Sequence, residues 1–209
     1  MPKGKPNAKF QRFNQSENAL DYLRKTNAAV RAFGRDPVAW KWALLSLHGA
    51  VYGYAIEALQ AANPDRVMVR VPDGSRVSIP FSEAVKRIAD PGWMATNVRS
   101  SPWRGGAQPQ SALSILDQYV AHFLGVMPST WVFEEHDALM ACIDALEVVR
   151  FLVVDSNNVL VKPGHRSEVI TLVRTTTEAL KRTQLYRDHV SALRKLQKED
   201  LRIHAPDVR

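Results

Sequence analysis

One segment limits what this chain can fold into more than any other: PVAWKWALLSLHGAVYGYAIEALQAA, residues 37–62. Asp36 and Pro37 open it as N-cap and first helical residue, and Asn63-Pro64 closes it. Trp40, Leu44, Leu47 and Val51 recur at helical spacing, while Trp42, Leu45, Tyr52 and Ile56 cover the other faces. A helix that is apolar nearly all round is expected to be buried nearly all round, as the central rod of a bundle. Ser46, Gly49 and Gly53 put small residues on one face. Each glycine costs about 1 kcal/mol against alanine in a helix, so a closely packed neighbour is the expected compensation.

The rest of the chain fits that frame. Ser16 with Glu17 opens a helix running to about Gly34. Val67, Val69 and Val71, a Pro72-Asp73-Gly74 turn, then Val77 and Ile79 predict a β-hairpin that exposes Arg70 and Arg76. Further helices are expected at about 82–89, 111–123 and 135–154, and a long or broken one over 166–199 after Pro163-Gly164. Residues 90–109, rich in Pro, Gly and Ser, read as a long loop whose Trp93 and Trp103 either anchor a partner or fold back onto the core. The fold class is mostly α: a bundle of about five or six helices with one small hairpin insertion. The expected organisation is a flexible basic arm (1–14), a single helical domain (15–200) and a C-terminal tail (201–209).

Composition narrows the function classes. With 45% hydrophobic and 23% charged residues the 209-residue chain reads as a globular protein. Cys142 is the one cysteine, which excludes an internal disulfide. Neither a secretory leader nor an uninterrupted apolar span is visible, so a cytoplasmic location without a membrane role is expected. The net charge of +7 is uneven: residues 1–35 carry a net +6, residues 36–161 a net −4 and residues 162–209 a net +5. Basic ends can gather phosphate backbones, and Lys162, His165, Arg166, Arg174, Lys181 and Arg182 form the best nucleic-acid-binding set. Only Tyr186 is near enough in sequence to stack on a base, so contact would be mainly to backbone. A solvated helix face explains the same charges equally well.

The chain resembles the HEPN superfamily of helical bundles. The resemblance rests on two stretches. Trp42, Leu47, His48, Ala50 and Gly53 match a W-x-x-x-x-L-H-x-A-x-x-G pattern. DSNNVLVKPGHRSEV aligns with an Arg-Asn-x-x-x-His turn followed by Pro and Ser-x-Glu-Val, with Pro163, Glu168 and Val169 in register. The superfamily includes many dimeric, metal-independent endoribonucleases and their degenerate relatives in toxin and phage-defence systems. In active members the Arg and His flank the scissile phosphate, the imidazole moving protons and the guanidinium steadying the phosphorane. Here the motif is degenerate: Asp155 stands at the Arg position, Ser156 follows it, and Leu160 stands at the His position. An aspartate repels the phosphate and a leucine moves no proton. The resemblance therefore implies a non-catalytic protein that binds RNA or a protein partner, as a homodimer, with Gly49 and Gly53 as one close-contact face.

Two alternatives stay open: an endoribonuclease with a shifted catalytic pair, Arg182 and His189, seven residues apart on one helix face, and a structural adaptor with no nucleic-acid role. His48 reads as a core histidine bonded to a neighbouring helix or to the 155–163 turn, rather than as a proton carrier. Cys142 reads as a small core residue. No cofactor motif is present. Glu134-Glu135-His136-Asp137 is expected to serve a helix dipole rather than a metal, because adjacent residues fan apart.

Overall fold

A computed structural model describes residues 14–104, 109–125, 130–159 and 161–203, with the backbone alone for 109–110 and 197–203. Residues 1–13 of the predicted arm, Leu160 and residues 204–209 of the predicted tail lie outside the described residues. The order of elements is α1 (Gln15–Arg31), α2 (Ala39–Gln60), a 3-10 turn (Pro64–Val67), β1 (Met68–Arg70), β2 (Arg76–Ser78), α3 (Phe81–Ala89), α4 (Pro91–Val98), α5 (Pro109–Leu124), α6 (Glu135–Val154), α7 (Pro163–Lys181) and α8 (Gln184–Ile203). The protein is mostly α, with one two-stranded antiparallel hairpin.

Helices α2 and α6 form the centre. Leu44, Leu47, Tyr54 and Leu59 of α2 are buried, as are Leu139, Leu146, Val149 and Leu152 of α6. α1 lies along α2, and the small-residue face explains why it can. A Cβ on Gly53 would stand 2.8 Å from that of Ala19, and one on Gly49 would stand 2.8 Å from the Tyr22 ring. Thr26 donates to Ser46 at 3.0 Å across the same seam. The close neighbour of Gly49 and Gly53 is thus α1 of the same chain, not a second copy. α7 closes the far side of α1: Arg24 holds Glu168 in a two-pronged bond at 2.7 and 2.8 Å, and Asn27 donates to Thr176 at 2.7 Å.

Several expectations change. α1 starts at Gln15 with Asn14 as its cap, its side chain accepting from Glu17 N. Asp36 does cap a turn, accepting from Val38 N, but α2 proper begins at Ala39. The segment 90–109 is not one loop. Asp90 caps α4 by accepting from Trp93 N, and Pro91 is its first residue, the same signal as Asp36-Pro37. After Arg99 ends α4 in the left-handed region, Ser100 donates to Ser156 O and Trp103 N to Ile88 O. Trp103 is 6% exposed and belongs to the core. Trp93, on α4, packs against the same core with the Arg87 guanidinium 5.4 Å from its ring centre. The hairpin buries only its base, Val67 and Ile79; Val69 and Val77 pair across the ladder in solvent. The 166–199 helix is broken: α7 stops at Lys181, and Thr183 accepts from Tyr186 N to restart the chain as α8. In the described residues no helix is long and apolar enough to cross a membrane.

Candidate functional site: the α1–α2 groove

Small residues that let two helices approach also leave a hollow where their outer faces diverge. A groove of about 910 Å3 runs along α1 and α2 and is closed at one side by Val120 and Leu124 of α5. Ala28, Ala29, Ala32, Ala39 and Gly49 line it with little bulk, and Tyr22, Trp42 and Leu45 stand around them. Trp42 is 55% exposed and Leu124 is 72% exposed, with Tyr22 also open to solvent. This corrects the expectation that α2 is buried all round: among the described residues its Trp42 face is uncovered. Lys41 extends over the Trp42 ring at 5.4 Å.

His48 lines the groove on its α2 side. Its ring stacks on Phe81 with centres 4.0 Å apart, and Nε2 lies 2.9 Å from Asp117 Oδ1 on α5. The aspartate lines a neighbouring hollow of about 260 Å3, so the His–Asp bond stands between the two cavities. His48 is bonded to a neighbouring helix as expected, but that helix is α5 and not the 155–163 turn. A carboxylate only accepts, so Nε2 carries the hydrogen and Nδ1 is left as an acceptor. Burial pulls the imidazole pKa below its ordinary 6.5, opposed by the Asp117 carboxylate. The unfolded chain then binds a proton that the folded chain does not. Stability should fall as pH drops below about 6.5, levelling off below the folded pKa. Urea unfolding of wild type and His48→Gln at pH 7.5 and 5.5 checks this: the variant should lose less stability over that interval. Glu17 and Glu168 act in a separate, lower window. Lys162 and Arg24 hold these carboxyls below their usual 4.5, and that contribution is lost as pH falls through their folded pKa values.

The nucleic-acid set from the sequence is largely engaged within the chain. Lys162 pairs with Glu17 at 2.8 Å, and Arg166 donates to Val154 O at 2.7 Å. Arg174 and Arg182 share Glu178, at 3.2 and 3.7 Å. Lys181 is exposed, and His165 lies close enough to Glu17 and Glu168 to lower their pKa values. The shifted catalytic pair is not on one helix face. Arg182 caps α7, whereas His189 is within α8 with Nδ1 2.6 Å from His136 Nε2. The helix break at Thr183 is the reason. In the degenerate motif, Asp155 pairs with Arg150 at 3.1 Å and Ser156 is buried, bonding back to Leu152 O. The expected divergence at α6 also needs correcting. Glu134 is the extended N-cap, free of the helical fan, and ligand atoms of Glu134, His136 and Asp137 lie within 4.8 Å of one another. Cys142 is fully buried, and burial pushes its thiol pKa up to about 12, so it is a core residue without thiolate chemistry.

Sequence reasoning missed the groove and the His48–Asp117 pair. The pair spans 69 positions, and no local pattern links its two members. Comparison with family models, with curated proteins and with solved structures finds no match for this chain.

Proposed function

We propose that the chain is a non-catalytic, HEPN-like interaction protein that receives a protein partner in the α1–α2 groove. One observation carries the reading: Tyr22, Trp42 and Leu124 are exposed large hydrophobic residues grouped around a single groove. Isolated exposed apolar residues are ordinary, but a contiguous patch rimmed by polar groups marks an interaction surface. Tryptophan and tyrosine are the residues most often found to dominate binding energy. The basic set favours this over an RNA-binding reading, since four of its six members already spend their charge or donors on intramolecular partners. Fewer free cations mean fewer released counterions, and hence weaker phosphate-backbone affinity. The resemblance adds the setting of a toxin or phage-defence system.

Site-specific photo-crosslinking tests this in the source cells. A benzoylphenylalanine at position 42 should give a discrete protein adduct, and one at position 182 should give none. An RNA adduct at 182 with no protein adduct at 42 would contradict the reading.

A further inference from the structure

We propose that the start of α6 binds a divalent transition-metal ion of the zinc class, with Glu134, His136 and Asp137 as ligands and His189 of α8 orienting the imidazole. None of the four lines the α1–α2 groove, so the site stands apart from the partner reading. His136 Nδ1 and Asp137 Oδ1 are 3.6 Å apart. That is too long for a hydrogen bond. It matches the separation of about 3.3–3.6 Å between two ligand atoms that share one tetrahedral ion at about 2.0–2.2 Å. A carboxylate oxygen of Glu134 lies within 4.8 Å of both. An acidic first turn that served only the helix dipole would be arranged differently. Glu134 is the N-cap, yet its side chain accepts no backbone N–H. Among the described residues neither carboxylate is paired with a lysine or arginine. Two carboxylates this close repel, and a bound cation removes the repulsion.

The second observation comes from a different helix. His189, 53 positions further on, places Nδ1 2.6 Å from His136 Nε2. Two imidazole nitrogens at that distance share one hydrogen. With it on His136 Nε2, the Nδ1 of His136 is a bare lone pair beside the Asp137 carboxylate. A metal-bound histidine characteristically donates its other ring N–H to such an acceptor, which fixes both tautomer and ring orientation. The N-cap residue, the first turn of α6 and α8 thus supply ligands and support from separate parts of the chain. The imidazole selects a borderline ion such as Zn2+ or Co2+ over Mg2+ or Ca2+, which take oxygen ligands. Three protein ligands leave one position of a tetrahedral ion to water.

Cobalt spectroscopy on the full chain, first stripped with a chelator, provides the test. Added Co2+ should give visible d–d absorption that saturates at one ion per chain, with a dissociation constant below about 100 μM. Zn2+ should displace it and excess Mg2+ should not. His136→Gln should abolish the absorption, and Glu134→Gln and Asp137→Asn should each weaken binding at least about tenfold. His189→Gln keeps an oxygen that can accept the Nε2 hydrogen and should bind nearly as wild type, whereas His189→Leu should weaken binding about tenfold. None of the four side chains is buried, so the metal-free variants should melt like wild type. Glu134→Gln and Asp137→Asn keep the test decisive should loss of the His136–His189 bond loosen α8. His165→Gln, which alters a histidine near Glu17 and Glu168, is the control and should change nothing. No saturable binding, absorption that survives His136→Gln or falls as much in His165→Gln, or displacement by Mg2+ as readily as by Zn2+ would each overturn the site. Equal affinity in His189→Leu and wild type would overturn the role given to His189.

Discussion

Trp103→Ala should destabilise the protein by about 3–5 kcal/mol, the range for deleting a large aromatic from a packed core. The indole is nearly inaccessible, it belongs to the main hydrophobic cluster, and its backbone N–H is tied to Ile88 O at 2.8 Å. A tryptophan that anchored a partner from a surface loop would cost almost nothing on truncation of the free protein. Trp42→Ala gives the contrast: that ring is more than half exposed, and its removal should move stability by no more than about 0.5 kcal/mol while weakening association. Urea denaturation of both variants in dilute solution decides between these roles.

Gly53→Val should cost about 1–3 kcal/mol by overpacking. Its Cβ alone would stand 2.8 Å from that of Ala19, which is fixed to the α1 backbone and has no rotamer with which to retreat. The branched methyls need still more room, and α1 must lift from α2 along the seam that also holds Thr26 and Ser46. Gly49→Ala is the informative control. Its obstacle is the Tyr22 ring at 2.8 Å, the side chain of a partly exposed residue that can swing outward. The gain in helix propensity of about 1 kcal/mol then offsets the disturbance, and stability should stay near wild type. Tyr54→Phe tests the core from another direction. The buried Tyr54 hydroxyl finds no partner among the described residues, and burial raises its pKa. Removing it should leave stability unchanged or raise it by about 1 kcal/mol, measured by the same urea titrations.

These positions also show what could be read from the chain alone. The α2 segment, the hairpin turn at Asp73-Gly74 and the α6 helix were legible because each combines periodicity with boundary residues. α4 was just as legible in principle: Asp90-Pro91 repeats the start signal of Asp36-Pro37, but the surrounding Gly and Ser content masked it. The open side of α2 was not legible. Apolar residues on every face imply burial on every face, and only the placement of α1 and α5 reveals that Trp42 has no cover among the described residues. Charge was the least legible property. Lys162 and Arg24 look free in sequence, yet their partners Glu17 and Glu168 lie 145 and 144 residues away. Local pattern reports which residues share a helix face, not which helices meet.

Hydroxyl-radical footprinting of side-chain accessibility addresses the central claim most directly. In dilute protein Trp42, Tyr22 and Leu124 should react readily and Trp103 should be inert. Adding the protein captured by the position-42 crosslink should protect the first three together. Trp42 as inert as Trp103 in dilute solution, or an undiminished Trp42 reactivity while added RNA protects residues 162–182, would contradict a partner-binding groove between α1 and α2.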